Sequence, residues 1–211
     1  YKVVTRLLGI FGGSFNPVHT GHLLLAEYIR EEFNLDKIIF IPAGNPPHKN
    51  ISDLEQGEHR YNMVKLAIEN NPGFGVSDIE LKRKGISYTF ETLAEISREY
   101  PDEKLFFICG SDSIIQFPTW REIGKIFDLA DIIVAGRPNV SKDQLDNIID
   151  EFRSRYNAGI VCSTAPHIEI SSSEIRNRIK KGLSIRYMVP LSVAEYINAN
   201  NLYREYSHGY Y

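Results

Sequence analysis

Two glycines, Gly12 and Gly13, and two histidines three residues apart, His19 and His22, fall within the stretch "GIFGGSFNPVHTGHL" (9–23). The residues before the glycines are apolar, and those after the histidines have helical spacing. Glycines after a strand let backbone approach a ligand or turn tightly. A helix start offers unpaired N–H groups and the positive end of the helix dipole, which favour anions. Imidazoles in the same place donate hydrogen bonds to phosphate oxygens and carry charge as it develops. The spacing is neither G-x-G-x-x-G nor G-x-x-x-x-G-K-S/T, so the dehydrogenase fingerprint and the Walker loop are both absent. Phosphate chemistry suits this combination. A plain helix cap and a metal pair compete with it, and the metal pair lacks a third Cys, His or carboxylate at supporting spacing.

A second stretch, "ISSSEIR" (170–176), points to the same kind of ligand. Ser171 to Ser173 read as an N-cap region whose amides and hydroxyls can cradle phosphate. Arg176 lies one turn further on and can reach the same anion with a bidentate fork. Taken alone, this could equally be a capped helix with a surface arginine.

The elements that must position these residues alternate along the chain. Apolar runs at 7–11, 37–42, 104–110 and 131–136 read as buried strands, each stopped by glycine or proline. Stretches at 22–33, 58–70, 89–100, 141–156, 172–182 and 190–201 read as helices, with Ser141 as an N-cap and Thr89 as another. "GIVCS" and "HIEIS" supply further short strand material. This order predicts an α/β fold: a Rossmann-like, mostly parallel sheet with helices on both faces and a small C-terminal helical part. Residues 1–211 read as a single domain, with 170–211 as its C-terminal helical part and 203–211 as a polar, aromatic tail. In such sheets ligands collect at the carboxyl ends of strands, so the site is expected where the loops beginning at Gly12, Ala43, Gly110 and Gly136 meet. The long non-periodic loop 43–57 is expected to be functional or mobile.

Composition narrows the partners. The chain has 211 residues, 43% hydrophobic and 24% charged, with a formal net charge of −3, which argues against a general nucleic-acid binder. No apolar stretch approaches the ~18 residues of a membrane span, and no leader is read before the first strand. A cytoplasmic location is expected, and a homo-oligomer stays open. Cys109 and Cys162 both sit in apolar, strand-like runs and are expected to be buried free thiols without zinc spacing.

"GGSFNPVHTGH" resembles the G-x-F-x-P-x-H-x-G-H signature of the nucleotidyltransferase superfamily, which is related to the class I aminoacyl-tRNA synthetases. "ISSSEIR" resembles that superfamily's I-S-S-T-x-I-R, with Ser173 standing for threonine and keeping its hydroxyl. The segments "IPAGNPPHK" (41–49), "HRYNMVKLAI" (59–68), "GISYTFETL" (85–93), "FFICGSDSI" (106–114), "PTWREI" (118–123) and "GRP" (136–138) extend the resemblance to the bacterial nicotinate-nucleotide adenylyltransferase family. The resemblance implies transfer of the adenylyl group of ATP to nicotinate mononucleotide in NAD biosynthesis, releasing pyrophosphate. It also implies Mg²⁺, carried mainly by the ATP phosphates.

Carried over by resemblance, Gly12, Gly13 and Ser14 would lie against nucleotide phosphates, with His19 and His22 on the ATP phosphates. Gly110 and Asp112 would hold adenosine, and Ser172 and Arg176 the departing pyrophosphate. Thr89 and Trp120 would recognise the nicotinate ring, by its carboxylate and by stacking. Lys49 would neutralise a substrate phosphate, and Arg137 stays open as a phosphate or adenine-side contact. The catalytic set is then His19, His22 and Arg176, and no protein ligands to a metal are assigned. A sister transferase using nicotinamide mononucleotide or another phosphorylated acceptor is the near alternative. A non-catalytic nucleotide sensor is the alternative of another class.

Overall fold

A computed structural model describes residues 5–46, 54–136 and 140–204; Lys49 and Arg137 lie outside the described residues. Its strands are β1 (Leu7–Gly13), β2 (Lys37–Pro42), β3 (Phe74–Val76), β4 (Lys104–Gly110), β5 (Asp131–Ala135) and β6 (Ile160–Ser163). They form one sheet in the order β3-β2-β1-β4-β5-β6, and every pairing is parallel. The helices among the described residues are α1 (Thr20–Glu32), α2 (Gly57–Ile68), α3 (Ile79–Lys82), α4 (Thr89–Glu99) and α5 (Ser111–Gln116). They continue with α6 (Ile123–Leu129), α7 (Lys142–Tyr156), α8 (Ser172–Lys180) and α9 (Leu191–Ala199).

Side chains alternate across a strand, so each strand feeds two cores. Phe11, Ile38, Phe40 and Ile108 join Ala26 and Ile29 of α1, Met63 and Val64 of α2, Ile175 of α8, and Val193 and Ile197 of α9. Their neighbours Ile10, Ile39, Ile41 and Cys109 turn to the other face, against Leu93 and Ile96 of α4, Ile126 of α6, and Ile149 and Phe152 of α7. The expected Rossmann-like sheet with helices on both faces is therefore present. The C-terminal helices α8 and α9 pack on the same core as α1 and α2. Strand order reverses between β1 and β4, which makes the crevice at their carboxyl ends the natural ligand position.

Several local expectations are corrected. β1 runs through the glycine pair instead of stopping before it, because Gly12 and Gly13 continue the ladder to Ile41 and Pro42. Residues 167–171 form no strand: Ile170 N–H turns back to the Ile168 carbonyl, and the segment leads into the cap of α8. Cys109 is buried, and burial raises its thiol pKa, but Cys162 is exposed. Cys162 sits on β6, an edge strand with a neighbour on one side only. Tyr88 caps α4 in extended conformation, leaving Thr89 as the first helical residue, while Ser141 caps α7 as expected. The short strand β3 and helices α3, α5 and α6 carry too few residues to show a period.

A polar clamp fixes the loop that leaves β2. Gly44 N–H donates to the Glu80 carboxylate at 3.2 Å, and the Thr92 hydroxyl donates to the same group at 2.8 Å. A Cβ at Gly44 would lie 2.2 Å from the Glu80 carbonyl, so only glycine allows this approach. Asn45 and Ser87 exchange two further bonds, Ser87 N–H to the Asn45 carbonyl at 2.9 Å and Asn45 N–H to the Ser87 hydroxyl at 3.4 Å. Burial raises the pKa of Glu80, against the lowering effect of Thr92, Gly44, Arg83 and Arg60.

A carboxyl group whose pKa is raised on folding holds its proton more tightly in the native state, so its contribution to stability is fullest at low pH. That contribution is lost as pH rises from the ordinary 4.5 through the raised folded value. Urea unfolding of wild type and Glu80→Gln at pH 4.5 and pH 7 should therefore show the difference moving in favour of glutamine at the higher pH. A difference that stays constant, or moves toward glutamate, would contradict the assignment.

Candidate active site

The loop after β1 is held by its carbonyls. The Gly13 carbonyl accepts from Ala43 N–H at 2.8 Å, and the Ser14 carbonyl from Arg60 Nη1 at 2.8 Å. The Asn16 carbonyl accepts from Arg176 Nη1 at 2.8 Å, and the Pro17 carbonyl from the Ser172 hydroxyl at 2.8 Å. Phe15, between them, is fully buried at φ 45°, the left-handed region that non-glycine residues avoid. A Cβ at Gly13 would come within 2.8 Å of the Phe15 ring, so this glycine makes room for its own chain's aromatic ring. Gly12 has more space, and it borders the cavity described below.

His19 is the N-cap of α1 and is buried; its ring stacks on His22 with centroids 3.6 Å apart. The His19 backbone N–H donates to His22 Nδ1 at 3.2 Å. In a neutral ring that leaves the proton on Nε2, so the far nitrogen of His22 is a donor. The ring edge rests on Phe15, centroids 5.1 Å apart, which limits its rotation. The start of α1 is held in turn by the C-terminal part, since Thr20 N–H donates to the Met188 carbonyl at 2.9 Å.

The second motif forms the expected capped helix. Ser171 is the N-cap of α8, its hydroxyl accepting from Glu174 N–H at 3.1 Å. Ser173 accepts from Arg176 Nη2 at 3.3 Å. Through Ser172 and Arg176 this helix start is bonded directly to the loop that carries the first motif.

These parts surround one cavity of about 1200 Å³, larger than the roughly 300–1,000 Å³ of an ordinary ligand pocket. Of the sequence-predicted residues, Gly12, Gly13, Ser14, His19, His22, Gly110, Asp112, Trp120, Ser172 and Arg176 all line it. Gly110 is the N-cap of α5 and Asp112 lies in that helix's first turn, at the end of β4. All four expected strand-end loops border the cavity, those at Gly12, Gly110 and Gly136 directly and the one beginning at Ala43 through Leu54; Ala43 itself is not on the wall and is bonded to Gly13 and Arg60.

Thr89 is not among the lining residues. It starts α4 next to Tyr88, whose ring carries the Arg121 guanidinium at 5.0 Å, and Arg121 follows Trp120. Trp120 packs on Phe117 with centroids 4.4 Å apart, and its indole N–H is buried without a hydrogen-bond partner among the described residues. Buried donors are normally satisfied, so an unpaired one at a cavity wall suits a ligand. No group of three or more His, Cys, Asp and Glu side chains among the described residues could hold a metal ion.

Three framework residues went unassigned from the sequence. Asn16 is buried and its side-chain oxygen accepts from Glu55 N–H at 3.1 Å and the Tyr203 hydroxyl at 3.0 Å. Burial raises the Tyr203 pKa. Arg60 is the third, and the spacing Arg60, Val64, Ile68 along α2 marks it as lying on the buried face.

Comparison with known proteins agrees with this geometry. Residues 10–178 match the cytidylyltransferase-like family. A "Probable nicotinate-nucleotide adenylyltransferase" of Lachnoclostridium phytofermentans is 42% identical over 198 residues, covering 94% of this chain and 99% of the relative. A protein of the same description from Desulfitobacterium hafniense strain Y51 is 44% identical over 202 residues, covering 94% and 96%. Among solved structures, Plasmodium falciparum nicotinic acid mononucleotide adenylyltransferase, complexed with NaAD, shares the fold at a TM-score of 0.77. It is 23% identical, with 94% of this chain and 97% of that one covered. The chain belongs to the cytidylyltransferase-like family and, within it, to the nicotinate-nucleotide adenylyltransferases.

Proposed function

We propose that this protein joins ATP to nicotinate mononucleotide, giving nicotinate adenine dinucleotide and pyrophosphate. The observation that carries the reading is the direct bonding of the two phosphate-type motifs beside one cavity that both border, Arg176 to Asn16 and Ser172 to Pro17. The names of the relatives support the choice of acceptor.

The attacking group is a phosphate monoester, mostly dianionic at pH 7 because its second pKa is about 6. Its oxygen forms a bond to the α-phosphorus of ATP while the bond from that phosphorus to the α,β-bridging oxygen breaks, and pyrophosphate leaves. No general base is required. The difficulty is to bring one anion against another in line, so the work of the protein is positioning and charge neutralisation. His19 and His22, with the N–H groups that begin α1, face the ATP phosphates. Gly12, Gly13 and Ser14 let those phosphates lie close, and Gly110 and Asp112 receive the adenosine, a carboxylate accepting from a ribose hydroxyl.

Arg176 and Ser172 hold the departing pyrophosphate at the start of α8. Trp120 stacks on the acceptor ring, Thr89 at its helix start favours the ring's carboxylate, and Lys49 balances an acceptor phosphate. Mg²⁺ bound to the ATP phosphates would neutralise charge on the leaving group, and the residues present suit an ion held mainly by phosphate and water.

Pyrophosphate release with ATP and Mg²⁺ should be much faster with nicotinate mononucleotide than with nicotinamide mononucleotide. Equal rates, or a preference for the amide, would keep the chemistry and overturn the acceptor assignment. His22→Ala should lower kcat by on the order of 10²-fold or more, the usual effect of losing one preorganised donor. A folded variant with near-wild-type kcat would remove His22 from the catalytic set.

A further inference from the structure

Arg60 is only 2% exposed, an extreme burial for a guanidinium. All three of its hydrogen bonds go to backbone carbonyls: Nε to Glu55 at 2.9 Å, Nη1 to Ser14 at 2.8 Å, and Nη2 to Ala43 at 2.7 Å. Those carbonyls belong to the loop after β1 and to the two ends of the connection between β2 and α2, Ala43 at its start and Glu55 at the turn into the helix. Burying a charge is costly, and an apolar side chain would serve if only packing were needed. A planar fork with fixed donor directions does something packing cannot: it sets these three points of the backbone at defined angles to one another.

We propose that Arg60 is a positioning residue that aligns the loop carrying the nucleotide phosphates with the loop on the acceptor side. The proposal rests on the adenylyl-transfer reading. On the donor side, Arg60 fixes the Ser14 carbonyl and therefore the plane of the peptide that Ser14 shares with Phe15, the residue at φ 45°. On the acceptor side, it fixes Ala43, two residues before Asn45, whose bonds to Ser87 lead to the start of α4 at Thr89. Because Arg60 sits on α2, whose Met63 and Val64 are wholly buried, the fork has a rigid base. Reaction between two bound substrates depends on their mutual placement, where an error of about 1 Å costs on the order of 10²-fold. Binding of either substrate alone does not depend on that placement.

The test compares wild type, Arg60→Lys and Arg60→Met in the full chain. Calorimetry measures binding of the α,β-methylene analogue of ATP and of nicotinate mononucleotide separately, and rapid quench measures single-turnover transfer. Folded variants should bind each ligand within about threefold of wild type. Transfer should slow by roughly 10–10²-fold in Arg60→Lys and further in Arg60→Met. Wild-type transfer in Arg60→Met, or a loss that follows the unfolded fraction or the weakened binding of one ligand, overturns the proposal.

Should Arg60→Met not fold, replacing Phe15 by phenyllactate weakens the Ser14 carbonyl as an acceptor while leaving Arg60 in place. Its effect should then be less than additive with that of Arg60→Lys, whereas full additivity overturns the proposal. Wild type without any transfer would overturn the adenylyl-transfer reading itself, an outcome distinct from both.

Discussion

Four donors on the carbonyls of residues 13–17, the end of β1 and the loop that follows it, are the constraint on which the rest of this structure depends. Ala43, Arg60, Arg176 and Ser172 reach Gly13, Ser14, Asn16 and Pro17 from three separate parts of the chain. A loop this tightly curved, with Phe15 at positive φ, would be unfavourable on its own. Charge-assisted bonds from two arginines offset that cost, since bonds to charged groups contribute about 1.5–3 kcal/mol each against roughly 1 for neutral pairs. Engaging the carbonyl oxygens from the protein side also suits a loop that meets an anion with its amides.

The same bonds explain why the C-terminal part matters to a site built at the start of the chain. α8 supplies Arg176 and Ser172, the segment before α9 supplies the Met188 carbonyl for Thr20, and Tyr203 reaches Asn16. Apolar burial of Ile175, Val193 and Ile197 in the core that also holds Phe11, Phe40 and Ile108 brings these polar groups to their places. Hydrophobic packing thus delivers the elements, and a small set of directional bonds sets their angles.

Much of this was legible from residue types. Strands with buried β-branched runs and helices with clear caps, such as those begun by Ser141 and Ser171, announced themselves because local chemistry and period agreed. The glycine pair misled about where β1 ends, since Gly12 and Gly13 complete a parallel ladder that only β2 reveals. Cys162 looked like core because its run is apolar, and edge position overrides that pattern. Ten of the residues that line the cavity were named from the two motifs or the family resemblance, whereas Arg60 and Tyr203 were given no role. Apart from the nearby Glu55 carbonyl, their partners are the carbonyls of Ser14 and Ala43 and the buried amide of Asn16, which only the fold brings near.

Adenylyl transfer requires attack on the α-phosphorus of ATP, in a cavity that both motifs border. Following label from ATP into products in the presence of nicotinate mononucleotide tests this most directly. Phosphorus label in the α position should appear in the dinucleotide, and label in the γ position should leave as pyrophosphate. Label from the γ position on the acceptor would mean transfer of the terminal phosphoryl group, and would rule out attack at the α-phosphorus.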